Sequence, residues 1–171
     1  MEIRSYHSLP QEAVLVRTKV FVEEQGFQNE FDDIDDSALH LVAFEDGAPI
    51  GTCRLFFSDK RRCLVIGRLA VLKAGRGKGT GRALVRACER CAAEDGKHRI
   101  ELLAQARVQD FYEKLGFRAL DDSRDDGRFP APVYHDVEKL QDNRGHVISK
   151  NSVECFFFRL GWNQRMMDEL L

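Results

Sequence analysis

Residues 64–84 constrain this chain more than any other stretch. An apolar run, Leu64 to Leu72, breaks at a Gly-rich turn, and a helical pattern begins immediately behind it. Gly77, Gly79 and Gly81 alternate, so no side chain blocks that face of the turn. Backbone N–H groups can converge there on an anion, where a helix N-terminus offers unpaired donors and the positive end of its dipole. Arg76, Lys78 and Arg82 add cations suited to phosphate. The stretch reads as a pyrophosphate cradle between a strand and a helix. Spelling excludes two rivals. A Walker A loop needs Gly, four residues, Gly, Lys and then Ser or Thr, which Gly75 to Thr80 cannot supply. The dinucleotide fingerprint fails because the third glycine comes one residue early and no βαβ unit opens here.

The 171 residues suit one domain with a sizeable core, and 43% hydrophobic with 32% charged residues fits a folded rather than a disordered chain. A net charge of −2 argues against bulk nucleic-acid binding. No stretch has the length of a membrane span and no signal-like apolar region opens the chain, so a cytoplasmic protein without membrane contact is expected. Cys88 and Cys91 spell C-x-x-C, yet both continue the apolar stripe Leu84, Ala87, Cys88, Cys91 of a helix, and no second pair or His cluster accompanies them. They read as small core residues, with no metal and no disulfide expected.

Around the cradle, periodicity predicts the remaining elements. Met1 to Tyr6 is a weak first strand, and Pro10 introduces a helix with Ala13, Val16 and Val20 on one face, stopped at Gln25-Gly26. Gln28 to Asp36 holds Glu30, Asp32, Asp33, Asp35 and Asp36; the EF-hand spelling fails, leaving either a solvated loop or a patch that steers a cationic amine. Strands follow at Leu39–Glu45, at Ile50–Phe57 after an Asp46-Gly47 hairpin turn, and at Cys63–Leu72. A helix from about Thr80 ends near Asp95-Gly96, and an apolar strand spans His98–Gln105. Another helix starts near Val108 and stops at Gly116; Phe117–Leu120 and Pro132–Leu140 are the last strands. Residues 141–171 are rich in aromatic side chains, among them Phe156, Phe157, Phe158 and Trp162, which argues against a free tail. Packing on the domain, a homodimer contact and a cover over the pocket all fit.

The pattern Arg-x-x-Gly-x-Gly on Arg76, Gly79 and Gly81, between an apolar strand and a helix, resembles the acetyl-CoA signature of the GNAT superfamily of N-acetyltransferases. Phe111-Tyr112-Glu113-Lys114-Leu115-Gly116-Phe117 is similar to the same family's downstream helix. Val20 to Gln25 and the acidic loop closing on Asp36 and His40 resemble its ElaA-like branch. The resemblance spans most of residues 1–140 and leaves 141–171 as an unmatched extension. It implies an α/β (α+β) GNAT fold: a mixed, mostly antiparallel sheet of six to seven strands, flanked by helices and splayed between the fourth and fifth strands.

It also implies acetyl-CoA as acyl donor and a primary amine as acceptor, with a small molecule favoured because the acidic loop narrows the approach. Arg76, Gly77, Lys78, Gly79, Thr80, Gly81 and Arg82 would hold the diphosphate. Leu69, Ala70 and Val71 would pair with the pantetheine arm as one more strand would, with an N–H near Leu69 or Val71 as oxyanion donor. Gln105, Phe111 and Lys114 would complete the coenzyme contacts. Tyr112 matches the family tyrosine that serves the leaving sulfur, and its phenol, pKa ~10, suits a thiolate. Relatives often carry a base on the strand before the turn, but Leu64, Val65, Ile66 and Gly67 supply none. Glu24, Glu101, His40, His135 and a water chain are the substitutes. The rival readings are a non-catalytic acyl-CoA sensor and an interaction protein working through Phe156 to Leu171.

Overall fold

The computed structural model describes residues 1–97, 99–104, 106–119 and 131–136. The strands are β1 (Glu2–Tyr6), β2 (Leu39–Glu45), β3 (Ala48–Ser58), β4 (Cys63–Val71), β5 (Arg99–Ala104), β6 (Arg118–Ala119) and β7 (Ala131–Asp136); the helices are α1 (Gln11–Arg17), α2 (Thr80–Glu94) and α3 (Gln109–Glu113). The strands form one seven-stranded sheet in the order β1-β2-β3-β4-β5-β7-β6. Every pairing is antiparallel except β4 with β5. That is the mixed, mostly antiparallel sheet that the family resemblance implies.

Local chemistry accounts for the connections. Asp46 and Gly47 both take positive φ, 52° and 79°, as a tight hairpin turn between β2 and β3 requires. Helix α2 ends as the sequence predicts: Gly96 N–H bonds Ala93 O at 3.0 Å and Lys97 N–H bonds Ala92 O at 2.9 Å, satisfying its last carbonyls.

The sheet is covered on both faces, which is why β2 is buried along nearly its whole length. One face packs Leu41, Leu55, Leu64 and Ile66 against Leu84, Val85 and Cys88 of α2 and against Tyr112 and Phe117. The other packs Val42 and Phe44 against Ala13, and Ala70 against Val16 and Val20. Cys88 is fully buried, and the sulfur beside it is that of Cys53 on β3, 3.4 Å away.

The first helix departs from expectation. After α1 the chain widens into a π-helical segment, Thr18–Glu24. β-Branched Thr18, Val20 and Val22 weaken the ordinary α-helical turn there. α3 is also shorter than its apolar face suggests: Val108 belongs to a 3-10 turn before it, and after Glu113 the chain tightens to Leu115 N–H on Tyr112 O and Gly116 N–H on Glu113 O, both at 2.9 Å. Residues 137–171, and with them the expected C-terminal extension, lie outside the described residues.

Candidate active site

β4 and β5 pair in parallel only at Leu64↔Ile100, Val65↔Glu101 and Ile66↔Leu102. Beyond Ile66 they part, the splay expected between the fourth and fifth strands. On its other side β4 stays paired with β3, but Arg54 faces Gly67 and Thr52 faces Ala70, so Arg68 and Leu69 together oppose Cys53. This is a β-bulge, and Arg68 occupies it with φ 53°, a left-handed conformation that costs a residue bearing a Cβ. The polar backbone of Gly67–Leu69 facing the splay has no ladder partner in β5, so an extended amide arm can pair with it.

At the end of β4 the chain turns through Lys73–Gly75 into the Gly-rich stretch. Gly77 and Gly79 have φ of 76° and 82°, and a Cβ on either would meet nothing within 4 Å. Gly81 differs, since a Cβ there would lie 3.3 Å from Phe111 Cζ. The sequence reads all three glycines as equally open; in the fold two border space and the third lets α2 approach α3. No side chain caps α2, because its N-cap is Gly79, and the buried hydroxyl of Thr80, the first helical residue, donates to Gly75 O at 2.9 Å. The first N–H groups of α2 are therefore left for a ligand.

Two of the three cations read as phosphate partners, Arg76 and Lys78, are already engaged. Arg76 donates from Nε to Val71 O at 2.9 Å and from Nη2 to Glu24 Oε2 at 2.7 Å. Lys78 Nζ pairs with Glu45 at 2.6 Å. Hydrogen bonds from Arg76 and Lys78 hold the Glu24 and Glu45 carboxyls below their usual range. Arg82 and Lys114 are exposed.

Tyr112 is buried, with Phe111 4.9 Å and Phe117 6.0 Å from its ring, both edge-on. Burial pushes its phenol well above the ordinary value, so it keeps its proton. Glu101 is also buried, and its carboxylate is claimed by Arg61 at 2.6 Å and Arg99 at 2.7 Å. His40 is 1% exposed; burial lowers its pKa, and its Nε2 lies 2.9 Å from Asp35 O. A carbonyl only accepts, so Nε2 carries the proton. Gln105 and the side chain of His135 lie outside the described residues.

The acidic loop holds what the sequence reading missed. Arg17 pairs with Glu30 at 2.8 Å, Glu30 with Arg68 at 3.0 Å, and Arg68 with Asp32 at 3.1 Å. Asp32 pairs with Arg54 at 2.6 Å, Arg54 with Asp35 at 2.8 Å, and Asp35 with Arg17 at 2.6 Å. Three arginines and three carboxylates thus close a ring in which each group bridges two of opposite charge. Burial works to raise the Asp35 carboxyl, but hydrogen bonds from Arg17 and Arg54 outweigh it and hold it well below the usual range. Burial dominates at Glu30 and raises it. The loop is therefore not a free negative patch: Asp33 and Asp36 are the exposed acids outside the ring. The sequence signalled only the burial of two arginines, because Arg17 and Arg54 each stand at a core-facing position of an apolar pattern, and not their partners.

Among the described residues no helix is long and apolar enough to cross a membrane, and no three His, Cys, Asp or Glu side chains gather as metal ligands.

Residues 6–117 match the model of the acetyltransferase (GNAT) family. The chain is 34% identical over 111 residues to the uncharacterized N-acetyltransferase YjcF of Bacillus subtilis, covering 64% of this chain and 78% of that protein. Its fold is similar to the crystal structure of Escherichia coli ElaA, with TM-score 0.69 and 25% identity over 79% of this chain and 99% of that one. An acyl-CoA N-acyltransferase from Pseudomonas aeruginosa gives TM-score 0.66 and 27% identity, over 78% and 98% of the two chains.

Proposed function

Because the chain belongs to the acetyltransferase (GNAT) family, which transfers acyl groups from an acyl-CoA, we propose that it moves the acetyl group of acetyl-CoA to the primary amine of a small molecule. The reaction is direct attack in a ternary complex, and the setting is the cytoplasm. The observation that carries this reading is the open turn at Gly77 and Gly79, joining the uncapped start of α2 to the splayed end of β4.

In this reading the diphosphate sits on main-chain N–H groups between Gly77 and Arg82, while Arg76 shapes the turn through Val71 O. Lys78 and Arg82 lend charge. Leu69, Ala70 and Val71 take the pantetheine arm, with Gln105, Phe111 and Lys114 completing the coenzyme contacts. An N–H at Leu69 or Val71 stabilises the oxyanion as the amine's C–N bond forms. The C–S bond then breaks, and Tyr112 gives its proton to the departing thiolate. Glu24 and Glu101 enter as ion-pair partners of arginines rather than as bases, so the amine's proton leaves through water. A lysine-type amine has pKa ~10.4, so the neutral fraction grows with pH. The ring pins the acidic loop to β3 and β4, which favours a small acceptor over a protein chain.

Turnover of acetyl-CoA with a panel of polyamines, amino sugars and peptides, read as released CoA, tests this. Release with at least one amine supports it. Coenzyme binding without release across the panel favours the sensor reading instead.

A further inference from the structure

The ion-pair ring meets the reaction zone at one residue, Arg68. It stands at the β4 bulge, two residues beyond the last β4–β5 pair and one before Leu69. Its φ of 53° is unfavourable for a side chain with a Cβ, and such a conformation persists only where the surroundings over-determine it. Those surroundings are visible. Arg68 Nε reaches Glu30 Oε1 at 3.0 Å and Glu30 O at 3.1 Å, and Nη2 reaches Asp32 Oδ2 at 3.1 Å. Glu30 is itself 2% exposed and tied to Arg17, and Asp32 is tied to Arg54. A rigid frame thus grips the guanidinium of the one strained residue in β4.

We propose that Arg68, clamped by Glu30 and Asp32, is a positioning residue that fixes the bulge and so aims the Leu69 N–H into the β4–β5 gap, toward the thioester carbonyl. The inference rests on the acetyltransferase reading for the identity of that carbonyl. It gives the acidic loop a part in catalysis through the backbone of β4 rather than through its charge.

Two variants separate the clamp from ordinary stability. Arg68→Ala removes the clamp and keeps a Cβ in the left-handed conformation; Arg68→Gly removes the clamp and the strain together. Calorimetry with acetyl-CoA and with CoA, which lacks the carbonyl, reads the aim of the N–H. Losing one hydrogen bond corresponds to an affinity change of about fivefold. Arg68→Ala should weaken acetyl-CoA by that factor and leave CoA within about twofold, with Arg68→Gly nearer the wild type. Amide exchange of Leu69 without ligand should quicken in Arg68→Ala and less in Arg68→Gly. Equal weakening of both ligands would mark a merely structural role and overturn the proposal, as would no weakening, or a Gly variant as impaired as Ala. Should Arg68→Ala fail to fold, Asp32→Asn removes one arm of the clamp and is held to the same acetyl-CoA-against-CoA comparison. Wild-type protein that takes up neither ligand contradicts the acetyltransferase reading itself, and the exchange rates then decide the clamp alone.

Discussion

Arg76 Nη2 lies 2.7 Å from Glu24 Oε2, which joins the end of the π-helical segment to the start of the Gly-rich turn. Because the same guanidinium also bonds Val71 O, its first effect is on the shape of the turn. Both side chains are partly exposed, at 44% and 27%, so the pair is screened by water. Glu24→Gln should therefore change acetyl-CoA affinity by less than about fivefold and leave kcat within about twofold. A tenfold or larger fall in kcat with intact binding would instead make Glu24 the base.

In the proposed reaction Tyr112 serves the leaving thiolate. Tyr112→Phe keeps the ring contacts with Phe111 and Phe117 and removes only the hydroxyl. The expected result is a fall of about 100-fold in kcat with acetyl-CoA affinity within about twofold. Since burial raises the phenol's pKa, no alkaline loss of activity from this group should appear below about pH 10. Steady-state kinetics over pH 6 to about 10 give both readings.

The ring makes the acidic loop a stability element. Asp35 bonds both Arg17 and Arg54 with its side chain 5% exposed, so Asp35→Asn weakens two pairs and leaves buried guanidinium charge under-compensated. Urea unfolding should show a loss of about 3–5 kcal/mol. The exposed change Asp33→Asn should stay within about 0.5 kcal/mol. Comparable losses in the two variants would contradict the ring.

Asp95 gives stability a pH dependence. It is 3% exposed at the C-terminal end of α2, its Oδ1 has no partner among the described residues, and burial pushes its pKa up to about 6. Its folded pKa lies above the unfolded value of 3.8, so the folded protein binds the extra proton between those limits. Stability from this group is full below about pH 4 and falls as pH rises to about 6, by about 1–3 kcal/mol. Asp35 acts oppositely and in a lower window: its stability is full above 3.8 and is lost as pH falls below that toward its depressed folded pKa. Thermal melts of wild type and Asp95→Asn at pH 4.5 and 7 should differ chiefly at pH 7, where the variant is the more stable; equal melts at pH 7 contradict the assignment.

Much of this was legible from local pattern. The strand at Leu39–Glu45 and the start of α2 at Thr80 fall where alternation and the Gly-rich turn put them, because period and turn chemistry are local properties. The ring was not legible. Its partners are 13, 18, 19, 22, 36 and 38 residues apart, and no periodicity says which arginine meets which acid. The same limit applies to Gly81, whose neighbour Phe111 comes from a distant helix. The π-helical Thr18–Glu24 was missed because the apolar stripe Ala13, Val16, Val20 runs across it unbroken, and propensity is only a weak prior for where helical hydrogen bonding widens.

In the proposed function, main-chain amides between Gly77 and Arg82 receive the diphosphate of the coenzyme. An NMR titration of 15N-labelled protein with acetyl-CoA reads those amides one by one. Large shifts at Gly77, Gly79 and Gly81, saturating together and smaller elsewhere on the surface, are the expected result. Saturable shifts that leave these three glycines unmoved would contradict it.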